Sequence, residues 1–393
     1  MAAIRVHTAP GTREAPVLTR RSLLLGAGGA ASLAAFPAPA AATGREPLWL
    51  PRTTGGHPVA THSFPVVDRS RTDPFAERPG PRELMVQLWF PATGHSAGRG
   101  TAAYTHLRTA AVLERSWGVQ KGSLARIRTG VRTARRPHRR PTLILVSHGR
   151  GATRALTTAL AAELASHGHL VAAVDHTHDA AAVRFPDGRL ILGNLPSAPD
   201  DWDAQDRLET GVRAADLRTV VDALALRRLA PPRIGLLGHS MGGAAAAEAM
   251  RQDRRFAAGL DLDGGLFGTP VPDTGLDRPF LLLTSSPDHE TWARWRASHH
   301  GWGRHLHLAG GGHLSATDLA GYAEPLGLRQ SWPAPVWQEF FGTLAPDRAT
   351  EAVRAHTVAF FGRFLAGRPA PLLDGPSQRF PEIEFRWSRG HSA

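Results

Sequence analysis

The sequence predicts an α/β fold, a mostly parallel central sheet flanked by helices, and three observations carry that expectation. Short, almost purely apolar runs such as PTLILVS (141–147), HLVAAVDH (169–176) and PFLLLTSS (279–286) recur along the chain. Such runs suit strands buried on both faces, as in a parallel sheet covered by helices. Segments of helical periodicity separate them, as crossover connections require. With 393 residues, 42% of them hydrophobic, the chain can bury one large core.

In chain order, the first segment is an address. TRRSLLLGAGGAASLAAF sets paired arginines, Arg20 and Arg21, before a Gly/Ala-rich apolar run, and APAAA offers small residues for cleavage. Residues 1–42 therefore read as a twin-arginine export signal, and the protein as secreted. The run from Leu23 to Ala35 is shorter than the roughly 20 residues a membrane-spanning helix needs. No later segment is apolar enough to span a bilayer.

HPVATHSFPVVD (57–68) and RELMVQLWFPA (82–92) read as strands separated by turn-forming residues. Residues 98–140 read as a surface insertion, first helical and amphipathic (YTHLRTAAVLERSWG), then basic and irregular. A regular alternation follows: strand 141–147, helix 154–168, strand 169–176, a hairpin around FPDG (185–188) and a long helix over 206–229. Strand RIGLLGH (233–239), helix AAAAEAMRQ, strands AAGLDLD (257–263), PFLLLTSS and RHLHLAG (304–310) complete the core. A last helix, ATEAVRAHTVAFFGRFLAG, closes a single domain over 43–366, and 367–393 reads as a C-terminal tail.

Composition excludes several function classes. The net charge of +12 comes from 46 basic residues, of which only Lys121 is lysine. They are scattered apart from RRPHRR (135–140), with no zinc-finger, RRM or basic-helix pattern, so no nucleic-acid partner is expected. Cysteine is absent, which removes disulfides, thiol nucleophiles and cysteine-bound zinc. DHTHDA (175–180) resembles the H-x-H-x-D run of zinc hydrolases, but Asp179 follows His178 directly, and no metal site is expected.

The chemistry centres on GHSMGG, a G-x-S-x-G nucleophile elbow with a strand before it and a helix after. Such a turn lifts Ser240 above the sheet edge, and side chains at Gly238 or Gly242 would strike neighbouring backbone. A serine hydroxyl needs a base. On an α/β-hydrolase fold the base follows the last strand, and His313, in LAGGGHLSATDL, is placed that way. For the acid, Asp288, Asp263 and Asp261 all follow suitable strands, and spacing does not choose among them. The oxyanion hole needs backbone N–H groups after the nucleophile and after the first core strand, which are those of Met241 and Arg150. His148 then shapes the loop.

Laid out this way, the chain resembles the plasma-type (group VII) platelet-activating-factor acetylhydrolases and their bacterial lipase-like relatives, from about His57 to Leu319. LWFPA, SHGRGATRALTTALAAELASHGHLVAAVDH, GHSMGGAAAAEAMRQDRRFAAGLDLDGGLFG and GGGHLSATDL carry the resemblance. It implies that Asp263 is the acid, with Asp288 the alternative, supports Ser240 and His313, and sets Asp318 in a characteristic downstream position. It also implies no metal or other cofactor. Arg150 stands where the family usually has an apolar residue, and glycines follow Asp263 where it has an aromatic.

The function expected is that of a secreted serine esterase or lipase acting on short to medium acyl esters, phospholipid sn-2 groups included. The alternatives are a cutinase or polyester hydrolase, and a non-catalytic hydrolase-fold module binding lipid or protein. The partner is a small-molecule ester or lipid. SWPAPVWQEFF (331–341) and 103–118 are candidates for transient contact with a lipid interface, through Trp332 and Trp337, or for a brace packed on the core.

Overall fold

Buried apolar alternation and short crossovers assemble one continuous sheet. The computed structural model describes residues 46–92, 97–134 and 142–390; the export signal of 1–42 and the RRPHRR run lie outside the described residues. The strands are β1 (Leu48–Trp49), β2 (Val59–Thr72), β3 (Pro81–Pro91), β4 (Ala97–Ala103), β5 (Ile127–Ala134), β6 (Thr142–Ser147) and β7 (Leu170–His176). A separate hairpin of β8 (Ala182–Arg184) and β9 (Leu190–Leu192) follows, then β10 (Arg233–His239), β11 (Phe256–Leu262), β12 (Phe280–Thr284), β13 (Gly303–Leu308) and β14 (Ile383–Arg389).

The sheet runs β1-β5-β2-β3-β7-β6-β10-β11-β12-β13-β14, with β4 on β5. From β7 through β13 every neighbouring pair is parallel. The principal helices are α1 (Leu107–Trp117), α2 (Thr158–Ser166), α3 (Trp202–Leu226), α4 (Met241–Gln252), α5 (Glu290–Ser298), α6 (Ala334–Phe341) and α7 (Pro346–Ala366). One core joins the sheet to α3, α4 and α5 through residues such as Leu217, Val221, Met250 and Trp292. The other joins its opposite face to α2 and α7 through Leu160, Leu164, Phe360 and Phe361. This is the α/β-hydrolase architecture that the apolar runs imply. Among the described residues no helix is long and apolar enough to cross a membrane.

Three segments differ from their sequence reading. Residues 98–140 are not only a surface insertion, because β5 lies within the sheet, parallel to β1 and β2. Its IRTGVRTA alternates strictly at first, burying Ile127, Thr129 and Val131 while Arg128, Gly130 and Arg132 face out. The arginines that make it look irregular occupy only the outer face. Residues 367–393 are likewise not simply a tail: β14 pairs antiparallel with β13 and turns Ile383, Phe385 and Trp387 inward. The long helix begins at Trp202 rather than 206, since the Asp201 carboxylate caps it by accepting the Ala204 N–H at 3.0 Å.

Candidate active site

β10 delivers Ser240 at the C-terminal edge of the parallel strands, and α4 starts at the next residue. Ser240 has φ 55° and ψ −126°, a backbone state costing about 1–3 kcal/mol for a non-glycine residue. The glycines around it are sterically required. A Cβ on Gly238 would lie 2.0 Å from the Gly242 carbonyl oxygen, and one on Gly242 would lie 2.2 Å from that of Ser147. The turn is locked from behind by the Ser240 N–H donating to the Leu262 carbonyl at 3.0 Å.

Asp263 leaves the end of β11 with a positive φ of 55°. Its Oδ1 accepts the backbone N–H groups of Ser285 at 2.7 Å and Ser286 at 2.9 Å. Its Oδ2 accepts the Ser286 hydroxyl at 2.7 Å and His313 Nδ1 at 2.7 Å. Burial alone would push this carboxyl up, but the bonds from His313, Ser286 and Ser285 outweigh it and hold the group below its ordinary range. Asp263 is therefore a carboxylate that takes His313 Nδ1–H, and Nε2 is the ring nitrogen left over. That Nε2 is buried and has no hydrogen-bond partner among the described residues.

The His313 loop is fixed on both sides. Its N–H donates to the Glu339 carbonyl at 3.0 Å and that of Leu314 to Phe340 at 2.7 Å, so α6 carries part of the loop. The ring meets Phe340 edge-on at 6.0 Å. On the other side His239, the residue before Ser240, lies 5.0 Å from it ring to ring and bonds its carbonyl through Nε2 at 2.8 Å. Burial, then the neighbouring His313, push the His239 imidazole down to about 4, so it is neutral and Nε2–H donates. Trp332 and Trp337 pack on Phe341, with Trp337 itself buried. These rings brace His313 from within the α6 segment.

The other acidic candidates stand elsewhere. Asp288, the alternative acid, is exposed and forms a two-pronged pair with Arg296 at 2.8 and 2.7 Å. Asp261 is buried beneath the elbow, accepting the Gly264 N–H at 2.9 Å; burial, then the Asp263 charge, push its carboxyl well up, so it is a neutral acid. Asp318 caps α2 through the Ala159 N–H at 3.0 Å, and burial raises it to about 8 despite that bond and one from Tyr104.

The Met241 N–H, at the first position of α4, and the Arg150 N–H, after β6, have no acceptor among the described residues. The loop between them is close: a Cβ on Gly149 would lie 3.3 Å from Ser240 Cβ. The unusual arginine at 150 turns away from this space. Its Nε donates to Glu209 at 2.6 Å, another nitrogen pairs with Asp206, and its guanidinium lies 5.5 Å over the Trp202 ring. The unusual glycines after Asp263 also have a local cause, since a Cβ on Gly264 would sit 2.3 Å from the Ser240 carbonyl oxygen.

Sequence reasoning missed His239, Ser286 and Arg213. His239 and Ser286 flank motif residues and had a positional signal. Arg213 had none, being a buried arginine in mid-helix. The acidic and histidine residues of DHTHDA each meet a structural partner: Asp175 with Arg154, His176 with Asp216 at 2.9 Å, His178 with Asp73 at 3.0 Å, and Asp179 with Arg213. A cavity of about 360 Å³ lies beside the residues that hold Asp263, lined by Ser285, Ser286, Gly311, Gln338 and Glu339. A larger one, about 540 Å³, is lined by Pro51, Thr54, Glu163, His167 and Arg354 with other residues of α7 and of 369–379, and none of the site residues reaches it.

Sheet order, elbow and loops define an α/β-hydrolase. The family model of platelet-activating factor acetylhydrolase, isoform II, matches residues 81–186. A ferulic acid esterase from Streptomyces cinnamoneus has a similar structure, with a TM-score of 0.77 and 38% identity, covering 86% of this chain and 99% of that one. A probable 1-alkyl-2-acetylglycerophosphocholine esterase of Arthroderma benhamiae is 31% identical over 262 residues, 62% of this chain and 65% of the relative. The platelet-activating factor acetylhydrolase of Cavia porcellus is 31% identical over 174 residues, 36% of this chain and 39% of the relative. The chain is thus an α/β-hydrolase similar over most of its length to a ferulic acid esterase and over part of it to platelet-activating-factor acetylhydrolases. It spans less than two thirds of the length of the curated relatives it matches.

Proposed function

We propose that this protein is an exported serine carboxylic ester hydrolase whose triad is Ser240, His313 and Asp263. The observation that carries the reading is the 2.7 Å Asp263–His313 bond, which leaves Nε2 unpartnered at the sheet end where Ser240 stands strained. Ser240 Oγ attacks the ester carbonyl as His313 Nε2 takes its proton. The Met241 and Arg150 N–H groups hold the developing oxyanion. Collapse expels the alcohol, which receives the proton from His313, and leaves an acyl-serine. Water repeats the sequence and frees the acid. Export rests on the Arg20-Arg21 signal.

Two acyl classes are favoured by different observations. The curated relatives are named for a 2-acetyl phospholipid, which fits short acyl esters. The esterase named for ferulic acid matches more of this chain at higher identity, and the Phe340 ring beside His313 offers an aromatic wall for a hydroxycinnamoyl group. Purified protein should turn over p-nitrophenyl butyrate, and Ser240→Ala should abolish both this and fluorophosphonate labelling. Near-normal turnover in that variant refutes the proposal. Relative kcat/KM on methyl ferulate and on a 1-alkyl-2-acetyl phosphocholine lipid decides between the two classes.

A further inference from the structure

One face of α3 grips the loop that supplies half of the oxyanion hole. Asp206, Glu209, Thr210 and Arg213 recur at helical spacing, so they lie on one side of α3. Asp206 and Glu209 take the Arg150 side chain. Thr210 Oγ1 lies 3.2 Å from Met241 Sδ. Arg213, wholly buried, donates to the carbonyl of His148 and, at 3.3 Å, to that of Gly149. Its Nε and Nη2, the latter shared with the Gly149 carbonyl, make a two-pronged pair with buried Asp179 of the DHTHDA run.

The Gly149 carbonyl also accepts the Ala152 N–H at 3.1 Å and His148 Nδ1–H at 2.7 Å. Burial, then the Arg213 charge, hold His148 neutral, consistent with one donating and one accepting nitrogen; His148 Nε2 accepts the His176 N–H at 3.4 Å. In a trans peptide the N–H points opposite to the C=O of the same plane. Fixing the Gly149 carbonyl therefore fixes the Arg150 N–H in the opposite direction, on a loop that lies against Ser240. We propose that Arg213, held by Asp179, is a positioning residue that aims the Arg150 N–H at the oxyanion. This rests on the reading of Ser240 as nucleophile.

The test compares the purified full chain with Arg213→Lys and with the double variant Arg213→Met/Asp179→Leu. Lysine cannot hold two carbonyls and a carboxylate in one plane. The double variant removes both buried charges, which is tolerated better than removing one, and so supplies the same readouts if the single variant fails to fold. Each is measured for kcat and KM on p-nitrophenyl butyrate, for melting temperature, and for affinity to an alkyl trifluoromethyl ketone. The serine adduct of that ketone places an oxyanion in the hole.

Deleting a donor costs roughly 10²–10³ in kcat, so misaiming one should cost about 10- to 100-fold. KM should stay within about twofold, because the lost interaction forms only in the transition state. Ketone affinity should fall by the same factor as kcat. An unchanged kcat, or a kcat loss with unchanged ketone affinity, overturns the proposal whatever the melting temperature does. An active Ser240→Ala variant would instead sink the nucleophile assignment, and this inference with it.

Discussion

Replacing Asp263 by asparagine tests how the site holds its base. Two backbone N–H groups, from Ser285 and Ser286, point at Oδ1, so the amide oxygen of an asparagine must stay there. The amide NH₂ then takes the place of Oδ2, 2.7 Å from His313 Nδ1. A donor at that place forces Nδ1 to accept, which moves the ring proton to Nε2, the nitrogen that the proposed triad needs free to receive the proton of Ser240. The same change in a Ser-His-Asp protease lowers kcat about 10⁴-fold, and a comparable loss, about 5 kcal/mol of transition-state stabilisation, is expected here. The assay is kcat on p-nitrophenyl acetate near neutral pH, with the melting temperature showing that the variant folds. Asp288→Asn is the companion variant; its exposed pair with Arg296 is worth about 1 kcal/mol or less, and kcat should not move. Asp263→Asn activity within tenfold of wild type, or a large loss in Asp288→Asn, would refute the assignment.

Two further outcomes follow from burial and close approach. Gly242→Ala should cost about 3 kcal/mol or more, because its methyl would meet the Ser147 backbone at 2.2 Å rather than a yielding side chain; an unchanged urea midpoint contradicts this. Asp318 is raised from 3.8 to about 8, so the native state binds its proton more tightly than the unfolded chain. Its contribution is full below its unfolded pKa and is lost as pH rises toward 8. Asp318→Asn, which cannot ionise, should therefore flatten the decline of melting temperature between about pH 5 and 8; parallel curves for both proteins would refute it.

Much of the fold was legible because parallel strands buried on both faces write themselves as unbroken apolar runs, as in β6, β7 and β12. The elbow was legible because its motif glycines are forced, Gly238 by the Gly242 backbone four residues on and Gly242 by that of Ser147 on the neighbouring strand. β5 and β14 were not, since each puts charged residues on one face and pairs with strands distant in sequence. Residue types alone left the acid open among Asp261, Asp263 and Asp288. The difference is made by the backbone: Asp261 is still within β11 and points under the elbow, whereas Asp263 has turned out of the strand. Arg213 was silent for a related reason, since its partners are backbone carbonyls of a loop more than sixty residues earlier.

β14 bears on how one copy of this molecule meets another. An uncovered β13 would present a row of unpaired N–H and C=O groups, beside Leu306 and Leu308, to any passing strand. β14 takes that row and offers instead an outer rim bearing Glu384, Arg386 and Arg389, all exposed. The strand is thus a guard against self-association, and shortening it endangers colloidal behaviour.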